Sequence, residues 1–264
     1  IGYRNHIDDF RYEVTGNMTY LKNKIESLKG QTIINDMFIL KEGEPIDSYY
    51  MLHAIGIFQS EEEIANSPFQ TAATKPGYLK FEDTNGDGKI TEEDRQICGN
   101  VIPKITYNFG INLSYKDFDL SAFFQGVAGV KTYGDRIGAT PFWYGCGLPA
   151  QWLTDSWTPE RGTSATLPIL TTYEGAINEN YRTNDFWLRD ASYLRLKNLQ
   201  LTYNVPLSVL KTGRISRLKV FVNAQNLLTF SSMKDFEPEK NLKSSTYYAY
   251  PSLRTFTGGI NITF

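Results

Sequence analysis

Twelve consecutive residues, Asp83-Thr84-Asn85-Gly86-Asp87-Gly88-Lys89-Ile90-Thr91-Glu92-Glu93-Asp94, carry oxygen donors in the pattern of a calcium loop. Asp83, Asn85 and Asp87 take positions 1, 3 and 5, Gly88 supplies the sharp turn at 6, and Lys89 would ligate through its backbone carbonyl at 7. Ile90 is the buried anchor at 8, Thr91 at 9 acts through water, and Asp94 stands where a bidentate Glu usually sits. A hard cation needs six to eight oxygens converging from a tightly folded loop, and the shorter Asp94 either offers one oxygen or weakens the site. Residues 77–81 read as extended rather than helical, so the loop is expected to stiffen its surroundings with a static calcium ion and not to act as a helix–loop–helix switch. An Asn-Gly-Asp-Gly turn without metal is the alternative.

Other chemistry is sparse. His6 falls in an expected tight turn and His53 in an aromatic-rich extended segment, with no nucleophile motif beside either. The Glu61-Glu62-Glu63 and Glu92-Glu93 runs read as solvated helix starts and not as a carboxylate pair in a pocket. The chain is therefore not expected to be an enzyme. Cys98 and Cys146 form no metal spacing with each other or with the two histidines; they read as free thiols, although pairing in an oxidising compartment stays open. The 27 Lys and Arg nearly balance the 29 Asp and Glu with no basic stripe, so nucleic acid is not an expected partner.

The elements that must position these residues are strands. From Lys104 to Lys116 the odd positions are Ile105, Tyr107, Phe109, Ile111, Leu113 and Tyr115, and every even position is polar or glycine. Successive side chains of a strand point to opposite faces, so this ribbon has one oily side and one wet side. The same alternation appears over 10–20, 118–125, 198–204, 218–225 and 255–264, with Phe123 and Phe221 as exceptions. Aromatic residues make up 14% of the chain, which suits a sheet with one apolar face. No run of 18 apolar residues exists, so no transmembrane helix is expected; barrel strands need only about 9–11 alternating residues each. With no initiator Met and no signal peptide before Ile1, the N-terminal portion of a longer protein is expected to be missing.

Connections alternate between tight and long. The turns at 5–9 and 116–117 are short and 205–216 is moderate, whereas 25–103, 129–192 and 231–251 run to dozens of residues. A soluble sandwich would turn every ~8–12 residues, but short turns at one end and long loops at the other mark an outer-membrane barrel. Within the first long excursion, Ser60–Asn66 reads as a short capped helix and Asp47–Gln59 as extended. The terminal Phe264 shares a face with Ile262, Ile260 and Phe256, where an aromatic girdle would meet the inner interface. It also resembles the C-terminal signal read by the outer-membrane assembly machinery. Tyr133, Phe142, Trp143, Tyr144, Trp152 and Trp157 are candidate loop contacts for a substrate, or else pack among themselves.

Several stretches together resemble the SusC/RagA family of TonB-dependent outer-membrane transporters of Bacteroidetes. They are NHIDDF (5–10), PIDSYYMLHAIGIFQS (45–60), KPGYLKFEDTNGDGKITEEDRQICG (75–99) and PKITYNFGINLSYKDFDLSAFFQG (103–126), followed by FWLRDASYLRLKNLQLTY (186–203), LKVFVNAQNLL (218–228) and the final Phe264. They lie in family order, although the family more often has Gly-Asn-Pro where Gly99-Asn100-Val101 stands. The resemblance implies an all-β fold: an antiparallel transmembrane segment, 1–264, of a 22-stranded barrel with long extracellular loops, whose plug domain is absent from this sequence. On strand length, it would supply about six complete strands and a fragment of a seventh. The implied function is import of a nutrient oligomer, glycan or peptide, across the Gram-negative outer membrane. The implied partners are a SusD-like surface lipoprotein, the TonB complex acting through the plug, and outer-membrane lipid. A calcium-stiffened surface adhesin without transport is the alternative from another class.

Overall fold

The computed structural model describes residues 1–134, 141–142, 147–171, 180–208, 215–233, 237–239, 243 and 250–264. Alternation produces a first hairpin from β1 (Gly2–Ile7) and β2 (Phe10–Tyr20). The excursion that follows carries β3 (Ile33–Asn35), β4 (Phe38–Leu40), β5 (Ser48–Met51), β6 (Ala54–Ile57), α1 (Glu61–Ala65), β7 (Leu79–Phe81) and β8 (Gln96–Asn100). A second hairpin, β9 (Ile105–Tyr115) and β10 (Phe118–Ala128), leads into an excursion with β11 (Lys131–Tyr133), α2 (Gln151–Asp155) and β12 (Leu188–Asp190). The long strands β13 (Tyr193–Val205), β14 (Arg217–Ser231) and β15 (Thr255–Thr263) complete the chain.

Seven strands form one antiparallel sheet in the order β1-β2-β9-β10-β13-β14-β15. Its two tightest turns are two residues long, and Asp8 and Lys116 open them with positive φ (51° each), the geometry that matches the twist of paired strands. The first turn is therefore Asp8-Asp9, and His6 lies within β1, paired with Arg11, not in the turn. Both tight turns and the 205–217 connection lie at one end of the sheet, and the three long excursions leave from the other.

Register keeps like faces together across the sheet. Val14 pairs with Ile111, Ile111 with Ala122, Ala122 with Leu199, and Leu199 with Ala224. At Lys197 the chain inserts one residue relative to β10, so that Phe123 faces Asn198 while Phe124 faces Leu196. The bulge resets the phase: Leu194 and Leu196 share the apolar face with Leu199 and Leu201, while Arg195 and Lys197 join Asn198 and Gln200 on the polar one. Where a side chain must cross a neighbour, glycine makes room. Tyr107 lies over Gly126 and donates to the carbonyl of Tyr193 (3.2 Å). A Cβ at Gly126 would stand 2.5 Å from both that ring and that carbonyl oxygen.

The first two excursions pack into a single body with its own core. Leu52, Leu79, Phe81 and Ile90 form one cluster and Trp152, Leu167 and Trp187 another, with Phe186 packed against both. Backbone bonds tie the two segments, Leu52 N–H to the Thr183 carbonyl (3.0 Å) and Ile169 N–H to Gly77 (2.7 Å). Gly77 has φ of 90°, and a Cβ there would lie 2.6 Å from Ile169 and the Trp157 ring, so that crossing needs glycine. Helix α1 is capped as expected, with the Ser60 hydroxyl accepting from Glu63 N–H.

Gly126→Val should lower the sheet's stability by about 1–3 kcal/mol, the usual cost of overpacking against a fixed backbone oxygen. Gly16→Ala, whose nearest contact would be 3.6 Å, should not. The midpoint of heat-modifiable gel migration of the full receptor checks both.

Candidate functional site

The sheet's two faces differ in chemistry. One presents Tyr3, Met18, Tyr115, Phe118, Leu201, Val222, Phe230, Phe256 and Ile260, all exposed; Phe256 is 70% accessible and Val222 58%. A continuous apolar surface across seven strands is far beyond what a water-facing wall carries. Aromatics brace it in stacked or tilted pairs, Phe109 with Phe124 (4.5 Å between centroids) and Phe118 with Tyr203 (4.9 Å).

The opposite face is a network of amides and hydroxyls. Asn108 Nδ2 donates to Asn17 Oδ1 (2.9 Å), Ser121 Oγ to Asn112 Oδ1 (2.7 Å), and Asn223 Nδ2 to Asn198 Oδ1 (2.5 Å). Charge is concentrated at its two ends. Near the tight turns Arg4 pairs with Glu13 (2.8 Å), and Asp119 accepts from Ser114 (2.6 Å) and Asn204 (2.7 Å). Arg4, Glu13 and Ser114, with Asn5, His6, Arg11, Tyr12 and Asn112, line an open recess.

At the end from which the excursions leave, Arg195 is 3% exposed and holds two carboxylates, Glu237 and Glu239, each at 2.5 Å. Lys197 also reaches Glu239 (2.7 Å), and Arg195 Nε donates to Thr229 Oγ1 (2.8 Å). Burial acts to raise the Glu237 carboxyl, but N–H groups of Ser252 and Glu239 and the Arg195 guanidinium hold it below the usual range. The cluster pins the β14–β15 connection to the polar face. Sequence spacing gives no sign of it, since the partners are 42 and 44 residues apart.

The loop 83–94 is closed by its own hydrogen bonds. Asp83 accepts from Gly86 and Gly88 N–H (2.7 and 2.9 Å), Asn85 Oδ1 from Asp87 N–H (2.9 Å), and Asp87 from Lys89 N–H (2.8 Å). Ile90 anchors it in the core, and backbone bonds between Phe69 and both Gly88 and Ile90 brace it. Asp94 is fully buried: one oxygen accepts from Thr84 N–H (2.9 Å), the other from Thr91 N–H (2.7 Å), with the Thr91 hydroxyl at 3.4 Å. Asp83, Asn85, Asp87 and the Lys89 carbonyl suit a hard cation in kind and spacing. Asp94 serves as the loop's internal clasp, and among the described residues no three His, Cys, Asp or Glu side chains converge as a metal cluster.

Of the candidate aromatic contacts, Trp152 and Trp157 are buried, and Tyr133 packs against two of the clusters. Trp157 Nε1 donates to Gln59 Oε1 (3.0 Å), so these side chains hold the excursions together. Phe142 is exposed, while Trp143, Tyr144 and Cys146 lie outside the described residues. His53 Nδ1 meets Asp185 Oδ2 at 2.6 Å, a pairing across 132 residues that sequence reasoning missed. Nearby, burial and the charge of Asp185 push the Cys98 thiol up to about 12, so it stays protonated and weakly nucleophilic at neutral pH.

No protein-family model matches the chain. It is 31% identical to the TonB-dependent receptor P3 of Formosa agariphila, over 97% of this chain and 27% of that protein. It is 23% identical to the TonB-dependent receptor SusC of Bacteroides thetaiotaomicron, over 97% of this chain and 25% of the relative. The chain thus spans about a quarter of the length of these relatives. In fold it superposes on the RagAB peptide importer in its open-open state with a TM-score of 0.74 at 22% identity, covering 100% of this chain and 28% of that one.

Asp94→Ala should open the loop at a cost of about 1–3 kcal/mol, because it strands buried N–H groups. Burial acts to raise the Asp94 carboxyl, but the N–H groups of Thr91, Thr84 and Asn85 hold it below the usual range. The closure should therefore be complete above the unfolded carboxylate value of about 4. It should fade as pH falls through the depressed folded value. Protease cleavage within 83–94, followed against pH, checks both. These relatives and the likeness in fold place the chain in the SusC/RagA family of TonB-dependent receptors, as part of their barrel.

Proposed function

We propose that this chain is part of the wall of an outer-membrane receptor that imports a nutrient oligomer. The two-faced sheet carries the proposal. Its apolar face suits lipid, and its amide- and hydroxyl-lined face suits an aqueous passage. The middle of that passage wall, from Thr15 and Asn17 to Gln200 and Asn223, is uncharged. Such a surface can exchange hydrogen bonds with a neutral polar cargo, glycan or peptide, without selecting for charge. TonB-dependent relatives support energisation from the inner membrane, and the likeness to the RagAB peptide importer supports import as the class of activity. A SusD-like lipoprotein would sit on the body formed by the excursions, whose packed clusters suit a docking platform.

Calcium belongs to the same proposal. Asp83, Asn85, Asp87, the Lys89 carbonyl, Thr91 and Asp94 would hold it, and the ion would stiffen a loop already anchored through Ile90. Asp94 would trade some N–H bonds for the cation.

Two measurements test these assignments. A strain lacking the full receptor should lose uptake of its labelled oligomer and regain it with the intact gene. Unchanged uptake would sink the import assignment. Chelation should raise protease cleavage within 83–94 severalfold and added calcium should reverse it; an unaltered cleavage pattern would remove calcium from the account.

A further inference from the structure

The loop 83–94 holds the sequence's one Asn-Gly pair, Asn85-Gly86, and its one Asp-Gly pair, Asp87-Gly88. A glycine after Asn or Asp leaves the next backbone nitrogen unshielded, so that it can attack the side-chain carbonyl carbon. Both glycines have positive φ (74° and 80°), and a Cβ at either would meet nothing within 4 Å. Thr84–Lys89 is open to water.

The hydrogen bonds that close the loop also arrange that attack at Asn85. Gly86 N–H donates to Asp83 Oδ1 (2.7 Å), which sets a carboxylate where a general base takes the nucleophile's proton. Asp87 N–H donates to Asn85 Oδ1 (2.9 Å), the oxygen on which negative charge grows as the nitrogen adds. This turn folds the Asn85 side chain back over the backbone that follows it. The Asn85 amide nitrogen, the group that must leave, donates no hydrogen bond among the described residues. All these groups lie within Asp83–Lys89, so nothing outside the loop is needed to complete the arrangement.

Asp87 is held in the same way: Gly88 N–H donates to Asp83 Oδ2 (2.9 Å) and Lys89 N–H to Asp87 Oδ1 (2.8 Å). Its electrophile differs. A carboxylate resists a nucleophile and has no ammonia to expel, so the neutral amide of Asn85 is the reactive member of the pair.

We propose that Asn85 is a self-modifying residue, which this loop converts through a cyclic imide to aspartate and isoaspartate. Gly86 N bonds to Asn85 Cγ, and its proton passes through Asp83 to the amide nitrogen, which leaves as ammonia. Water then opens the ring at either carbonyl. Opening at Cγ leaves aspartate and adds a carboxylate between Asp83 and Asp87. Opening at the main-chain carbonyl routes the backbone through Cγ and lengthens the loop. The conversion consumes one water, releases one ammonia and is independent of both import and calcium.

The test incubates the full receptor in detergent at neutral pH, with a chelator so that no cation engages Asp83, beside an unstructured synthetic peptide of 79–94. Digestion and mass spectrometry follow the exchange of –NH2 for –OH at Asn85, and chromatographic splitting of that peptide reports isoaspartate. Conversion should run about tenfold or more faster in the receptor than in the peptide, through the base and the oxyanion donor. Asp83→Asn keeps an acceptor for Gly86 N–H but removes the base, and should slow conversion about tenfold with heat-modifiable migration unchanged. Asp87 should stay aspartate over the same time. A receptor rate no higher than the peptide's overturns the proposal, as does an unchanged rate in a folded Asp83→Asn receptor; if that variant misfolds, the comparison with the peptide decides alone.

Discussion

A backbone in hydrocarbon has no water to bond, so every N–H and C=O must find a partner in a neighbouring strand. That constraint accounts for most of this structure. The five inner strands of the large sheet are paired along both edges. β1 and β15 each have one free edge in this chain, and an exposed edge is a template for further pairing. Relatives about four times as long can supply the strands that close such a sheet. With the backbone satisfied by pairing, side chains are free to divide by solvent, and the period of two does the division.

The excursions stand beyond the sheet, where water can satisfy exposed backbone, so their packing has a different cause. Burying Trp152, Trp187, Tyr49 and Phe81 removes apolar area from water, and the paired short strands supply partners for the backbone buried with them. The Arg195–Glu237–Glu239 cluster joins the β14–β15 connection to the polar face. Removing one partner of a buried cluster of this kind typically costs about 3–5 kcal/mol, because it strands the others. The sheet and the third excursion are thereby coupled through named side chains.

Much of the wall was legible in the sequence, since alternation over 105–115 or 255–264 needs no tertiary information to assign a face. The phase reset at Lys197 was not, because a bulge is set by the neighbouring strand's register, and Leu194-Arg195-Leu196 simply look out of step with Leu199 and Leu201. Phe123 and Phe221 were visible as exceptions, but the packing of the Phe221 ring over Gly259 depends on which residue stands opposite in the neighbouring strand. The calcium-type loop was found by spacing, whereas the turning of Asp94 onto Thr84 and Thr91 N–H is a property of the folded loop. Contacts across long separations, such as His53 with Asp185 or Trp157 with Gln59, leave no trace in local pattern. The burial of the tryptophans follows from their size: a side chain with so much apolar area is drawn into any core within reach.

The central claim is that the two faces of this sheet meet different solvents. Spin labels placed singly at Phe109, Ile111, Leu201 and Val222, and at Asn108, Asn112, Gln200 and Asn223, would measure it in the full receptor reconstituted in a bilayer, with the native cysteines replaced by serine. The first four sites should show high collision rates with oxygen and low rates with a water-soluble nickel chelate, and the second four the reverse. Uniform protection of all eight from both reagents would mean a sheet buried inside a protein core, and would contradict the account.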